Sequence, residues 1–79
     1  MKRIEVLGPG CANCQLLEKN AREAVMMAGV EAEIVKVTDG REIHARGVLY
    51  TPGLVIDGKL VSSGRIPSAG TIAVWLDEG

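Results

Sequence analysis

Both cysteines of the chain lie in the stretch Gly8-Pro9-Gly10-Cys11-Ala12-Asn13-Cys14. The stretch joins a short apolar run to a long segment with helical periodicity. A Cys-x-x-Cys pair that opens a helix after a strand is typical of two chemistries, a thiol–disulfide redox pair or a clamp for a soft metal ion. A purely structural pair is disfavoured, because two thiols at an exposed helix start are open to oxidation.

The helical segment gives the two sulfurs different environments. Cys14 is followed at steps of three and four by small or apolar residues that share one helical face, Leu17, Ala21, Ala24, Val25 and Ala28. Cys14 is therefore predicted to be buried. Cys11 falls in the first turn, where backbone N–H groups lack partners and the positive end of the helix dipole favours a thiolate. We predict that Cys11 is the nucleophile and Cys14 the resolving thiol.

The other elements follow from periodicity and turn residues. The first half is predicted as a strand over Arg3–Leu7, a helix over Asn13–Ala28 closed by Gly29, and a strand over Glu31–Val37. A short helix then runs from the cap Asp39 to Arg46, with Ile43 in the core. The second half is predicted as a strand over Leu54–Ile56, an Asp57-Gly58 turn, a strand over Leu60–Ser62, and a last helix capped by Ser68 with Ile72, Trp75 and Leu76 on one face. The strand–helix–strand unit predicts parallel pairing, and the Asp-Gly turn predicts an antiparallel hairpin.

Composition narrows the function classes. The chain has 79 residues, 47% of them hydrophobic, which suits one domain over residues 1–79. The net charge is −1, there is no basic run and only 3% of residues are aromatic, so nucleic acid is not an expected partner. The apolar run Ile4–Leu7 is too short for a signal peptide, and no stretch is long enough to span a membrane. We expect a cytoplasmic monomer that does not bind membranes.

Four features together carry a resemblance to a known family. The glycine-rich turn with Cys11-x-x-Cys14, the Thr51-Pro52 dipeptide, the Asp57-Gly58 hairpin and the final helix resemble a minimal thioredoxin or glutaredoxin domain. The chain looks most similar to the small redox-active disulfide proteins of the thioredoxin-like superfamily in bacteria and archaea. The resemblance implies an α/β, thioredoxin-like fold, β-α-β-α-β-β-α, with a four-stranded mixed sheet flanked by helices.

The resemblance also implies an activity and a set of site residues. It implies a thiol–disulfide oxidoreductase in which Cys11 attacks, Cys14 resolves and Pro52 follows a cis peptide bond. Gly10, Thr51 and Pro52 are then the expected substrate-binding residues. The implied partners are protein disulfides and a reducing partner such as a thioredoxin-reductase-type protein, and neither a cofactor nor a metal ion is expected.

The chain departs from the family pattern at several positions. Gly10 stands where thioredoxins have a Trp, and Ala12-Asn13 stand between the cysteines in place of Gly-Pro. Ser63-Gly64-Arg65 replaces the cluster with which glutaredoxins bind glutathione, so glutathione use is not predicted. Glu5 and Lys36 are interpreted as surface charges, because charged strand residues usually face solvent. No equivalent of the buried acid of thioredoxin is therefore identified.

Three other hypotheses remain open at this point. A small copper-binding module also places Cys-x-x-Cys after its first strand, and two thiolates suit Cu(I). Such modules carry Met at the position of Pro9, and their strand order differs from the one predicted here. A zinc site is a weaker hypothesis, because Cys11, Cys14 and His44 supply at most three ligands of the usual four. A redox-inert adaptor would use the loop Gly64–Ser68 and neither thiol.

Overall fold

The computed structural model describes residues 1–10 and 12–78. Every predicted element is present, and the predicted bounds agree with the structure to within one residue. The elements are β1 (Lys2–Leu7), α1 (Ala12–Ala28), β2 (Ala32–Val37), α2 (Gly40–Ala45), β3 (Gly53–Ile56), β4 (Lys59–Ser63) and α3 (Ala69–Glu78).

The strands form one sheet in the order β2-β1-β3-β4. β1 pairs in parallel with β2, so that Ile4 lies opposite Ile34, and antiparallel with β3. β3 and β4 form the predicted antiparallel hairpin, which is irregular between Leu54 and Val55. The predicted four-stranded mixed sheet is confirmed, and β1 lies inside it with its carboxyl end leading into the cysteine turn.

The two faces of the sheet carry separate apolar clusters. Ile4 and Val6 of β1 pack on one face with the fully buried Leu17 of α1 and Ile72 of α3. The other face is covered by α2, whose Ile43 packs with three further buried side chains, Leu7, Val48 and Val55. Burial of a side chain such as Leu17 contributes about 1.5–3 kcal/mol, so α1 is fixed firmly on the sheet.

Turns and caps form where the sequence predicts them. Asp39 Oδ1 accepts a hydrogen bond of 2.8 Å from the Arg41 backbone N–H at the start of α2. Ser68 Oγ accepts the backbone N–H of Thr71 at 3.2 Å before α3. Asp57 and Gly58 have φ values of 50° and 83°, the left-handed pair that a tight hairpin turn requires.

Glu5 corrects one prediction. Its position in a charged strand pattern predicts a surface residue, but only 4% of Glu5 is exposed. The reason is that β1 is flanked by two strands and that Glu5 alternates onto the Leu7 face, beneath α2. Arg46 at the end of α2 donates from Nη2 to Glu5 Oε1, and this ion pair satisfies the buried carboxylate.

No helix in the described part of the chain is both long and apolar enough to cross a membrane.

Candidate active site

Cys14 lies near the start of α1 with only 5% of the residue exposed. It shares the buried stripe of the helix with Leu17, Ala21 and Ala24, which confirms its predicted burial. Cys11, the predicted nucleophile, lies outside the described residues. The second cysteine of the Cys-x-x-Cys motif therefore lies on the face of α1 that packs against the sheet.

Gly8 brings the end of β1 against the Cys14 sulfur. A Cβ atom built on Gly8 would lie only 2.2 Å from Cys14 Sγ and 3.4 Å from Cys14 Cβ. No side chain fits there, so glycine is required for the sulfur to approach the backbone this closely. The Gly8 backbone N–H donates to the Val37 carbonyl at 2.9 Å, which ties the turn to the end of β2. Gly10, two residues later, has φ +88° and is exposed.

The loop before β3 forms the third side of the site. The Thr51-Pro52 peptide bond is cis, which confirms the geometry implied by the resemblance. The Cβ position built on Gly8 lies 3.8 Å from Thr51 Cβ, so this loop reaches the cysteine turn. Pro52 is buried, whereas Thr51 is exposed. The Gly8 turn and the start of α1, which are close in sequence, therefore meet a loop that follows about 40 residues later.

The same loop is held in place from β4 and presents two exposed apolar side chains. The Tyr50 carbonyl accepts the Ser63 hydroxyl at 3.1 Å, and the Gly64 backbone N–H donates to the Pro52 carbonyl at 2.9 Å. The two residues before Thr51, Leu49 and Tyr50, are 78% and 72% exposed. Neither residue is among those predicted from the sequence, although an apolar pair in a loop just before Thr51-Pro52 is a recognisable signal.

Glu18, one helical turn after Cys14, is the second feature of the site that is not predicted from the sequence. Its Oε2 accepts from Arg22 Nε at 3.0 Å and from Nη2 at 2.9 Å, and its Oε1 lies 3.1 Å from Lys36 Nζ. The hydrogen bonds from Arg22, followed by the one from Lys36, hold the pKa of the Glu18 carboxyl below its usual value. The readable signal was a charged residue four positions after a cysteine on a helix.

The residues that the metal-site and surface-charge predictions concern, His44 and Lys36, are both exposed. His44 is exposed on α2, as expected for a residue without a site role. Among the described residues, no group of three or more His, Cys, Asp or Glu side chains is arranged to hold a metal ion. Lys36 is 61% exposed, as its interpretation as a surface charge requires.

Comparison with known proteins places this arrangement in a family. The sequence model of the thioredoxin domain matches residues 2–77. A thioredoxin from Methanothermobacter thermautotrophicus is 48% identical over 68 residues, which cover 86% of this chain and 88% of that protein. A thioredoxin from Methanocaldococcus jannaschii is 46% identical over 65 residues, which cover 82% of this chain and 74% of that protein.

Proposed function

The chain belongs to the thioredoxin domain family, and we propose that it is a protein thiol–disulfide oxidoreductase that uses Cys11 and Cys14. The observation that carries this proposal is the buried Cys14 sulfur at the start of α1, which lies against the Gly8 turn that the Thr51 loop also reaches. A resolving thiol must be shielded from solvent oxidants and still lie beside the mixed disulfide, and this position suits both requirements.

In the first step, the Cys11 thiolate attacks one sulfur of a substrate disulfide. The substrate S–S bond breaks, a Cys11–substrate bond forms, and the other substrate sulfur leaves as a thiolate that takes up a proton. In general a helix start offers backbone N–H groups without intrahelical partners and the positive end of the helix dipole, and both favour a thiolate in the first turn, where the sequence places Cys11.

In the second step, Cys14 resolves the mixed disulfide. The Cys14 thiol loses its proton, its sulfur attacks Cys11, and the second substrate thiolate leaves as the Cys11–Cys14 bond forms. The substrate gains two electrons and the protein loses two. A dithiol partner of the thioredoxin-reductase type then returns the pair to the reduced state.

We propose Gly10, Thr51 and Pro52 as the substrate-binding residues, with direct contact from the exposed Gly10 and Thr51 and support of the Thr51 backbone from the buried Pro52. Thr51 is exposed beside the Gly8 turn, so its backbone can pair with an extended substrate segment as an added strand. The exposed Leu49 and Tyr50 supply apolar contact area immediately before it. We therefore propose protein segments, rather than small thiols, as substrates.

Two further parts of the proposal concern the whole chain. We propose one domain over residues 1–79, supported by the family match to residues 2–77. We also propose that it acts as a monomer in the cytoplasm, where a reducing environment keeps such a pair available for turnover.

A disulfide-reduction assay run beside a Cu(I) titration tests the proposed function. We expect catalytic reduction of a protein disulfide at the expense of a dithiol, together with copper binding too weak to survive a competing chelator. The Cys11→Ser and Cys14→Ser variants are the matched controls and should lose turnover. Negligible turnover by the unmodified protein, with tight stoichiometric Cu(I) binding, would establish the copper module instead.

A further inference from the structure

A group of charged side chains lies one helical turn from Cys14, on the α1 face of the sheet. Glu18 is only 16% exposed, and its carboxylate is bound by Arg22 from the same helix and by Lys36 from β2. Lys36 lies opposite Val6 in the parallel ladder, so it shares the sheet face that α1 covers. Its ammonium therefore crosses from the sheet to the helix.

A small cavity links these charges to the sulfur. It measures about 80 Å³, and its lining includes Cys14, Glu18 and Lys36 together with Gly8, Gly10 and Thr38. The cavity is large enough to hold water and is open to solvent on the side of the exposed Gly10 and Lys36. Charges that line such a partly enclosed space are screened less than charges at a fully open surface.

Other charged groups around Cys14 face elsewhere. Glu5 of β1 points to the opposite sheet face, where it pairs with Arg46 of α2. The loop over residues 48–52 carries no charged side chain, and its Tyr50 is exposed. The remaining charged residues of α1, β2 and α3 are exposed and do not line the cavity: Lys19, Glu23, Glu33, Asp77 and Glu78. Glu18 and Lys36 line it, and Arg22 is bound to Glu18.

Glu18 is suited to hold a cation and poorly suited to accept a proton. The hydrogen bonds from Arg22 and Lys36 keep the pKa of its carboxyl below the usual value, so it stays ionised at neutral pH. Arg22 and Lys36 together carry two positive charges against one carboxylate, which leaves the group with a net positive charge.

We propose that Lys36 supplies the positive charge that favours the Cys14 thiolate during resolution, and that Glu18 is the positioning residue that holds Lys36 beside the cavity. The inference rests on the proposed thiol–disulfide exchange. When the Cys14 S–H proton leaves to solvent, the ammonium stabilises the thiolate that remains. That thiolate attacks Cys11, the substrate thiolate departs, and Lys36 neither gains nor loses a proton.

The test measures thiolate formation at Cys14 directly, in a Cys11→Ser background, by the ultraviolet absorbance of the thiolate as pH is raised. Lys36→Gln should move the titration midpoint up by about 0.5–1 pH unit, less than the roughly 1–3 units caused by a close opposite charge, because Lys36 is largely exposed. Lys36→Arg keeps the charge and should restore the midpoint. Lys59→Gln makes the same charge change in the β3–β4 hairpin and should leave the midpoint unmoved.

An unchanged or lowered midpoint in Lys36→Gln would overturn the proposal. In a Glu18→Gln background the Lys36→Gln shift should fall by at least half, and a shift of full size there would show that Glu18 does not position Lys36. The protein that retains Cys11, reacted with less than one equivalent of 5,5′-dithiobis(2-nitrobenzoic acid) so that Cys14 meets no unreacted reagent, separates the two proposals. Release of a second thionitrobenzoate reports resolution by Cys14, and below the midpoint it should slow about three- to tenfold in Lys36→Gln. Absence of that second release in the unmodified protein contradicts thiol–disulfide exchange, while the absorbance titration still decides the role of Lys36.

Discussion

Replacing Gly8 by Ala tests the packing on which the site depends. The added Cβ would lie 2.2 Å from Cys14 Sγ, whereas non-bonded heavy atoms normally approach to about 3.5–4.0 Å. The shortfall of roughly 1.5 Å must be absorbed by Cys14, which is fixed on α1, or by the turn, which is tied to Val37. Movement toward Thr51 is limited, because Thr51 Cβ already lies 3.8 Å away.

Overpacking of this kind lowers the free energy of unfolding by about 1–3 kcal/mol. Because both Cys14 and the Gly8 turn are held in place, we expect Gly8→Ala to fall in the upper part of this range, at about 2–3 kcal/mol. For a domain of this size the melting temperature should fall by roughly 10–20 °C. The measurement is thermal and denaturant unfolding of the fully reduced protein, so that no disulfide contributes.

Gly40→Ala is the matched control. Gly40 begins α2 and has no atom within 4 Å of its built Cβ, so this variant should be within about 0.5 kcal/mol of the unmodified protein or slightly more stable. Equal stability of Gly8→Ala and Gly40→Ala would refute the close approach of the Cys14 sulfur to the β1 turn.

Three further predictions concern the core and the ion pairs. Leu17→Ala should lower the free energy of unfolding by about 2–5 kcal/mol, whereas Leu16→Ala at the neighbouring, 45% exposed position should change it by less than about 0.5 kcal/mol; similar losses at both positions would contradict the phase of α1. Glu5→Gln should cost about 2–4 kcal/mol, less than a fully buried pair because the Arg46 side chain is 33% exposed, and the loss should largely vanish when Arg46 is replaced by Met beforehand. Glu18→Gln should lower the free energy of unfolding at neutral pH by about 0.5–1 kcal/mol. Because folding lowers the pKa of Glu18, this difference is complete above the usual carboxyl pKa and is lost as pH falls through the lowered pKa of the folded protein. A stability difference that persists in strong acid would contradict the contribution of the ion pairs.

Local signals were sufficient for the secondary structure and most of the topology. The helical phase that begins at Cys14 specified the buried stripe of α1, because a single periodicity runs through the whole helix. Asp57-Gly58 specified the hairpin, since few other dipeptides tolerate positive φ at both positions. The cis bond before Pro52 came from the resemblance and has no local signal that distinguishes it from an ordinary turn proline.

Contacts between distant segments could not be predicted in this way. Glu5 is buried because α2 brings Arg46, 41 residues away in sequence, over the inner strand β1. Helical periodicity predicts that Glu18 lies near Cys14. Its contact with Lys36 cannot be predicted in this way, because the position of Lys36 depends on the parallel register of β1 and β2. The approach of Thr51 to Gly8 likewise depends on the pairing of β3 with β1. Each of these contacts requires the assembled sheet.

The most direct test of thiol–disulfide exchange is trapping of a mixed disulfide in single-cysteine variants. Cys14→Ser retains the attacking thiol and lacks the resolving one, so it should accumulate a long-lived adduct with a protein disulfide, visible on non-reducing gels and assigned to Cys11 by mass spectrometry. Cys11→Ser should form no such adduct. Equal trapping by Cys11→Ser and Cys14→Ser, or adducts located on Cys14, would contradict the assignment of attack to Cys11 and resolution to the buried Cys14.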